Sequence, residues 1–198
     1  VEFPDRGNKE APLTADTIWP EAFPVLEVER VVLRRVRDTD AAGIFRCYSD
    51  PDIMRYIGTP LDDPECIQGI VEDYSLGQEE GTSLVWAIEE KRSGEFTGTA
   101  GFESFSFLDC CAETGFTLLK EYRGQGYMTE AMEAIIAFAF RELRLNRIEA
   151  RIHPDNAPAL RLAERLGFTL EGTLRQSVFF AGKFHDQMVL SIIREDMI

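Results

Sequence analysis

Apolar and polar positions fall into separate blocks along the chain, and each block predicts one element. The segment ERVVLRRVR, from Glu29, alternates or runs apolar as a strand does, and Asp38-Thr39-Asp40 behind it supplies side-chain oxygens suited to capping a helix. A helix is predicted over Ala41–Tyr48, and a second over about Pro64–Gln78, where Ile67, Ile70, Val71 and Tyr74 recur at helical spacing. Three strand-like runs follow, Leu84–Glu90, Gly98–Glu103 and Ala112–Leu119, separated by glycine, serine or charged residues. From Met128 to Leu143 the residues Met128, Ala131, Met132, Ile135, Ile136, Ala139 and Leu143 form one broad apolar face, the longest helix of the chain. Arg147–Ile152 reads as a short strand and Pro158–Leu166 as a short helix stopped by Gly167; strands over about Phe168–Leu174 and Lys183–Ile193 close the pattern. About seven strands and four helices in the order β-α-α-β-β-β-loop-α-β-α-β-β predict a mixed α/β (α+β) domain with a mostly antiparallel sheet.

Residues 1–26 differ: Pro4, Pro12, Pro20 and Pro24 stand among charged and small residues without a sustained period, and they read as an arm ahead of one domain over 27–198. At 198 residues and 44% hydrophobic, the chain is long enough to bury one substantial core. No apolar run approaches the roughly 20 residues that span a bilayer, and no basic-then-apolar leader opens the chain; a cytoplasmic protein with no membrane partner is expected. The net charge of −14 disfavours nucleic acid, whose phosphates need clustered Lys and Arg. That charge serves solubility, or draws in cationic acceptors such as protein amino termini. Cys47, Cys66, Cys110 and Cys111 form no CxxC pair and only His153 and His185 could join them, so reduced thiols and no metal are expected.

The glycine loop carries the clearest chemistry. Arg123-Gly124-Gln125-Gly126-Tyr127-Met128-Thr129 joins a predicted strand to the long helix. Its glycines allow a sharp turn and close approach of a ligand, and the unpaired first-turn N–H groups, with the positive end of the macrodipole behind them, suit a pyrophosphate. A P-loop would need a lysine after the last glycine, and a dinucleotide fingerprint would need a third glycine where Thr129 stands. A glycine turn that merely starts a helix is the plain alternative.

The loop has company: YRGQGYMTEA is followed by a helix, then by RIEARIHPDN, PALRLAERLGF and EGTLR. These strings resemble the GNAT acetyltransferase superfamily, in particular its RimJ/RimL-like branch of ribosomal-protein amino-terminal acetyltransferases, over roughly Glu29 to the C-terminus. The family motif Arg/Gln-x-x-Gly-x-Gly/Ala falls on Arg123, Gly126 and Met128, with Met128 departing from it. The resemblance implies acetyl-CoA as cosubstrate. Its pantetheine arm would lie between splayed strands, here Ala112–Leu119, with Leu118 and Leu119 at its end, and Arg147–His153. It implies that backbone groups of Arg123, Gly124, Gln125, Gly126, Tyr127, Met128 and Thr129 hold the pyrophosphate. Asn156 matches a cofactor-contacting asparagine, and Ala159 stands where a serine is usual.

By the same resemblance, an acetyl group passes directly to a primary amine, either a protein or peptide α-amino group or a small-molecule amine. This requires a base for the ammonium and a donor for the oxyanion. Glu113 is the leading base, matching a glutamate of the branch, with an ordinary strand-surface carboxylate as the alternative; Glu103 on the neighbouring strand is the reserve, its facing dependent on one residue of register. No tyrosine lies in the helix after Asn156, which leaves the general acid unassigned, and Tyr127 is read as packing. His153 is read as a hydrogen-bonded packing residue, His185-Asp186 as ordering the last hairpin, and Cys110-Cys111 as buried or in a turn. A non-catalytic acetyl-CoA sensor is the competing reading, and a monomer and a homodimer are equally compatible with the sequence.

Overall fold

In a computed structural model, which describes residues 19–197, one eight-stranded sheet carries helices on both faces. The strands are β1 (Leu26–Glu27), β2 (Val31–Arg35), β3 (Leu84–Glu90), β4 (Phe96–Ser106), β5 (Cys111–Leu118), β6 (Arg147–Ile152), β7 (Thr169–Phe180) and β8 (Lys183–Ile193). Their spatial order is β1-β2-β3-β4-β5-β6-β8-β7, antiparallel everywhere except between β5 and β6. The helices among the described residues are α1 (Ala41–Ser49), α2 (Pro51–Met54), α3 (Cys66–Glu80), α4 (Tyr127–Arg141) and α5 (Ala157–Arg165).

Alternation along the strands divides the core. Val31, Leu33, Trp86, Phe102, Ala112 and Ile148 point to the face covered by α4 and α5, where Met132, Ile135 and Ala139 complete a fully buried cluster. Ala87 on the other face meets Ile44 of α1 with Ile67 and Val71 of α3. Both helices predicted from apolar spacing before β3 are present, α3 running two residues later than expected and ending at Gly81, whose φ of 72° suits a left-handed cap.

The additions to the predicted pattern are local. Strand β1 pairs with β2 and helix α2 is a single turn begun by Asp50, whose carboxylate accepts from the Asp52 and Ile53 N–H groups. Strands β4 and β7 extend beyond their expected ends. Most of the arm expected over residues 1–26 lies outside the described residues. From Trp19 the chain joins the body: the indole donates to the Gln78 carbonyl at 2.7 Å, and Phe23 packs edge-on against Trp86.

Arg34 sets the start of α1. Its side chain is 8% exposed, and it donates to both oxygens of Asp40 at 2.7 and 2.8 Å and to Glu89 at 2.5 Å. Asp40 also accepts from the Arg37 N–H, so the expected capping segment is tied to β2 and β3, but the Asp40 side chain makes no capping bond to α1 itself. Asp40→Ala leaves the guanidinium buried beside one half-buried carboxylate, and a loss of about 3–5 kcal/mol is expected in urea unfolding.

Candidate active site

Strands β5 and β6 pair over Cys111↔Arg147, Ala112↔Ile148 and Glu113↔Glu149, and then part. Beyond that point β5 stays paired with β4 through Leu118↔Gly98, and β6 stays paired with β8 through Ile152↔Met188. The facing edges of Thr114–Leu118 and Ala150–Ile152 therefore present main-chain donors and acceptors to a gap inside the sheet. A cleft of about 940 Å³ occupies the gap and reaches both faces: the α4 and α5 N-termini border it on one, Tyr48, Tyr74 and Asp52 on the other.

The glycine loop closes one end. Gly124 and Gly126 have φ of 73° and 85°, which only glycine adopts without strain, and Gly126 is the N-cap of α4 with no side chain capping the first turn. The loop is held from outside the cleft. Arg123 Nε donates to the Leu118 carbonyl at 3.2 Å, Gln125 Nε2 to the Glu121 carbonyl at 2.7 Å, and Arg30 Nη1 to the Gln125 carbonyl at 2.7 Å. An uncapped 15-residue helix behind a positive-φ turn fits an anionic group, and the open edges of β5 and β6 fit an extended amide-bearing chain.

The predicted cofactor residues divide. Leu118, Arg123, Gly124, Gly126, Tyr127, Met128, Thr129, Asn156 and Ala159 line the cleft. Leu119 does not: it is 2% exposed and packs with Cys47 and Ile53, because the chain turns after Leu118. Gln125 also stays outside the lining, its carbonyl and amide both engaged. Asn156 caps α5, its Oδ1 accepting from the Ala159 N–H at 3.3 Å. Tyr127 packs, edge-on to Tyr122 and under the Arg30 guanidinium.

Both candidate carboxylates lie on the face away from α4, and a β-bulge decides the setting of one. Phe102 pairs with Thr114 and Ser104 with Glu113, so Glu103 is the extra residue of β4. With that insertion Phe102 and Phe105 share the α4 face, their rings 5.5 Å apart, and Glu103 turns into the cleft. Its carboxylate lies over Gly115, where an added Cβ would come within 2.4 Å of Oε1. Glu103 is exposed to solvent, yet the protein crowded around its carboxyl partly desolvates it and, with the charge of Glu113, raises its pKa. Among the described residues none hydrogen-bonds or ion-pairs with it.

Glu113 is differently placed. It stands at the last paired position before the parting, with Arg151 Nε 3.4 Å away. Burial raises its pKa, Arg151 opposes the rise and Glu149 adds to it. Glu149 itself, which burial alone would push up, is held below the usual range by Arg147 and Arg151.

The sequence did not mark Tyr48 and Tyr74, whose hydroxyls meet at 2.7 Å beside this face, nor the Thr99–Thr117 hydroxyl contact at 2.9 Å. Desolvation raises the pKa of both phenols, with Glu103 contributing. Their only sequence signal was helical spacing, which core residues share. His153 makes a packing network: its Nδ1 accepts from the Asp155 N–H, and its Nε2 lies 3.1 Å from Nδ1 of His185. Since His185 Nε2 faces the Phe180 carbonyl, a consistent assignment has each histidine donating from Nε2. Asp186 accepts from the Gln176 N–H across the last hairpin, and Cys110 occupies the β4–β5 turn with φ of 51°. No group of metal-binding side chains occurs among the described residues.

Comparison with known proteins agrees with this geometry. Residues 30–169 match the family model for the acetyltransferase (GNAT) domain. The uncharacterized N-acetyltransferase YoaA of Bacillus subtilis is 33% identical over 175 residues, spanning 87% of this chain and 98% of YoaA. The ribosomal protein uS5-alanine N-acetyltransferase of Escherichia coli is 25% identical over 182 residues, 86% of this chain and 91% of that protein. In fold, the chain superposes on the ribosomal L7/L12 alpha-N-protein acetyltransferase RimL in complex with coenzyme A with a TM-score of 0.79, at 20% identity, over 86% of this chain and 98% of that one.

Gly126→Ala places a side chain at φ of 85° and its Cβ 3.1 Å from Arg30 Nη2. A loss of about 1–2 kcal/mol is expected from the left-handed conformation, read by chemical denaturation.

Proposed function

The chain belongs to the GNAT acetyltransferase family, and from that premise we propose that it acetylates a primary amine, most simply the α-amino group of a protein or peptide, with Glu103 as the base. The observation that carries this reading is the bulge in β4, which sets a carboxylate with no hydrogen-bond or ion-pair partner among the described residues over Gly115 where the sheet parts. Similarity to the ribosomal protein uS5-alanine N-acetyltransferase supports a protein acceptor.

Acetyl-CoA would supply the acyl group as a thioester, whose C–S bond breaks as the amine forms the new C–N bond, so that CoA leaves as its thiolate. Gly124, Gly126 and the first turn of α4 would hold its diphosphate, and the open edges of β5 and β6 its amide-bearing arm. On the opposite face an ammonium enters between Glu103, Glu113 and the Tyr48–Tyr74 pair. Glu103 takes its proton, directly or through one water, leaving the amine lone pair free. Burial raises the pKa of both carboxyls, but only at Glu113 does a guanidinium, that of Arg151, oppose the rise, and we assign Glu113 to attracting and orienting the cation. Unpaired N–H groups of β5 are available as donors to the acyl oxygen.

A thiol-release assay with acetyl-CoA, peptides of differing first residue, polyamines and amino acids tests the reading. Release that depends on a peptide amine supports it, release only with small amines moves the acceptor to that class, and none across the panel counts against transfer. Glu103→Gln is expected to lower kcat by about 10²–10⁴-fold and leave CoA binding unchanged, with Glu113→Gln costing less. The rate should fall with decreasing pH along a limb above the ordinary carboxylate range, and that limb should vanish in Glu103→Gln. Stability gives an independent sign. A carboxyl whose pKa is raised by folding contributes stability fully at low pH and loses it as pH rises through the raised value. Glu103→Gln should therefore be more stable than the parent at neutral pH, and the difference should close in acid.

A further inference from the structure

Arg30 is separated by nearly a hundred residues from the glycine loop and does not line the cleft, yet it holds the loop–helix junction at several points. Its Nη1 donates to the Gln125 carbonyl at 2.7 Å and its Nε to Glu130 Oε2 at 2.8 Å. Its backbone N–H donates to Glu130 Oε1 at 2.6 Å, and the guanidinium lies 4.8 Å above the Tyr127 ring.

Two consequences follow from elementary geometry and charge. In a trans peptide the C=O and the following N–H point in opposite directions. A Gln125 carbonyl pinned to Arg30, outside the cleft, therefore turns the Gly126 N–H the other way, toward the cleft that Gly126 lines. The glycines around this peptide, free of side-chain restraint, would otherwise let it rotate. The second consequence concerns Glu130, a carboxylate in the first turn of α4 that would repel an anion at the same helix end. Its ion pair with Arg30 cancels that charge.

Resting on the acetyl-CoA reading above, we infer that Arg30 is a positioning residue for diphosphate binding, fixing the Gln125–Gly126 peptide with its N–H toward the anion and neutralising Glu130. Arginine suits the task because its planar fork serves a carbonyl and a carboxylate together, which an ammonium cannot do from one position.

The experiment compares Arg30→Ala with the parent in calorimetric CoA binding and in steady-state turnover of acetyl-CoA and of S-acetylpantetheine, which lacks the diphosphate. The expected result is a Kd for CoA weakened about tenfold or more, KM for acetyl-CoA raised with kcat within about twofold, and S-acetylpantetheine turnover unchanged. Unchanged CoA affinity overturns the inference. So does an equal loss with both thioesters, the mark of a general structural role. If Arg30→Ala does not fold, Arg30→Lys carries the same readouts and the same criteria. Failure of the parent to bind CoA refutes the acetyl-CoA reading itself, a result distinct from an Arg30 variant that binds as well as the parent.

Discussion

Two neighbouring strands that part in the middle of a sheet are the constraint on which the rest depends. Each main-chain group on the open edges of β5 and β6 has lost its natural partner, and a buried group left unpaired costs about 1–3 kcal/mol. The sheet cannot close the gap cheaply. Moving β5 toward β6 would break its ladder with β4, which runs to Leu118↔Gly98; moving β6 would break its ladder with β8, which runs to Ile152↔Met188. Antiparallel pairing on the far side of each strand thus keeps the near sides apart and leaves them to solvent or ligand.

The gap also separates two opposed electrostatic demands within a strongly acidic protein. At the α4 N-terminus a helix dipole worth roughly half a positive charge faces the cleft, and the nearest carboxylate, Glu130, is neutralised by Arg30. On the other face the carboxyls of Glu103 and Glu113 line the cleft where the proposed acceptor amine would enter. One sheet thickness lies between them, so neither field has to cancel the other. The distant Arg34–Asp40–Glu89 network contributes indirectly: it fixes the start of α1, and α1 carries Tyr48 to the wall of the acceptor side.

Features that depend on local chain chemistry were legible in the sequence. Glycines at positive φ, the apolar stripe of α4, the stop at Gly167 and the family strings around Arg123 are all contained in short windows. Features that depend on counting between segments were not. The bulge at Glu103 exists only as a mismatch between the β4 and β5 registers, so the strand pattern could name the residue without settling its direction. Helix α2 is one turn long, too short to show a period, and β7 outruns its expected end because nearly all of it is exposed and no apolar alternation marks it. Leu119 was grouped with Leu118 by sequence adjacency, although the turn after Leu118 sends the two side chains to different clusters.

The choice between the two glutamates rests on what each site does to charge. At Glu113 burial raises the pKa, and a guanidinium 3.4 Å away offsets part of that rise by stabilising the ionised form. At Glu103 desolvation and the charge of Glu113 raise the pKa, and among the described residues no cationic partner opposes the rise. A carboxylate with raised pKa, beside a glycine that leaves room for its oxygens, fits the proton-accepting role proposed for it. Gly115, whose φ demands no glycine, leaves open the space that the Glu103 carboxylate occupies, and an added Cβ there would displace that carboxylate from its place.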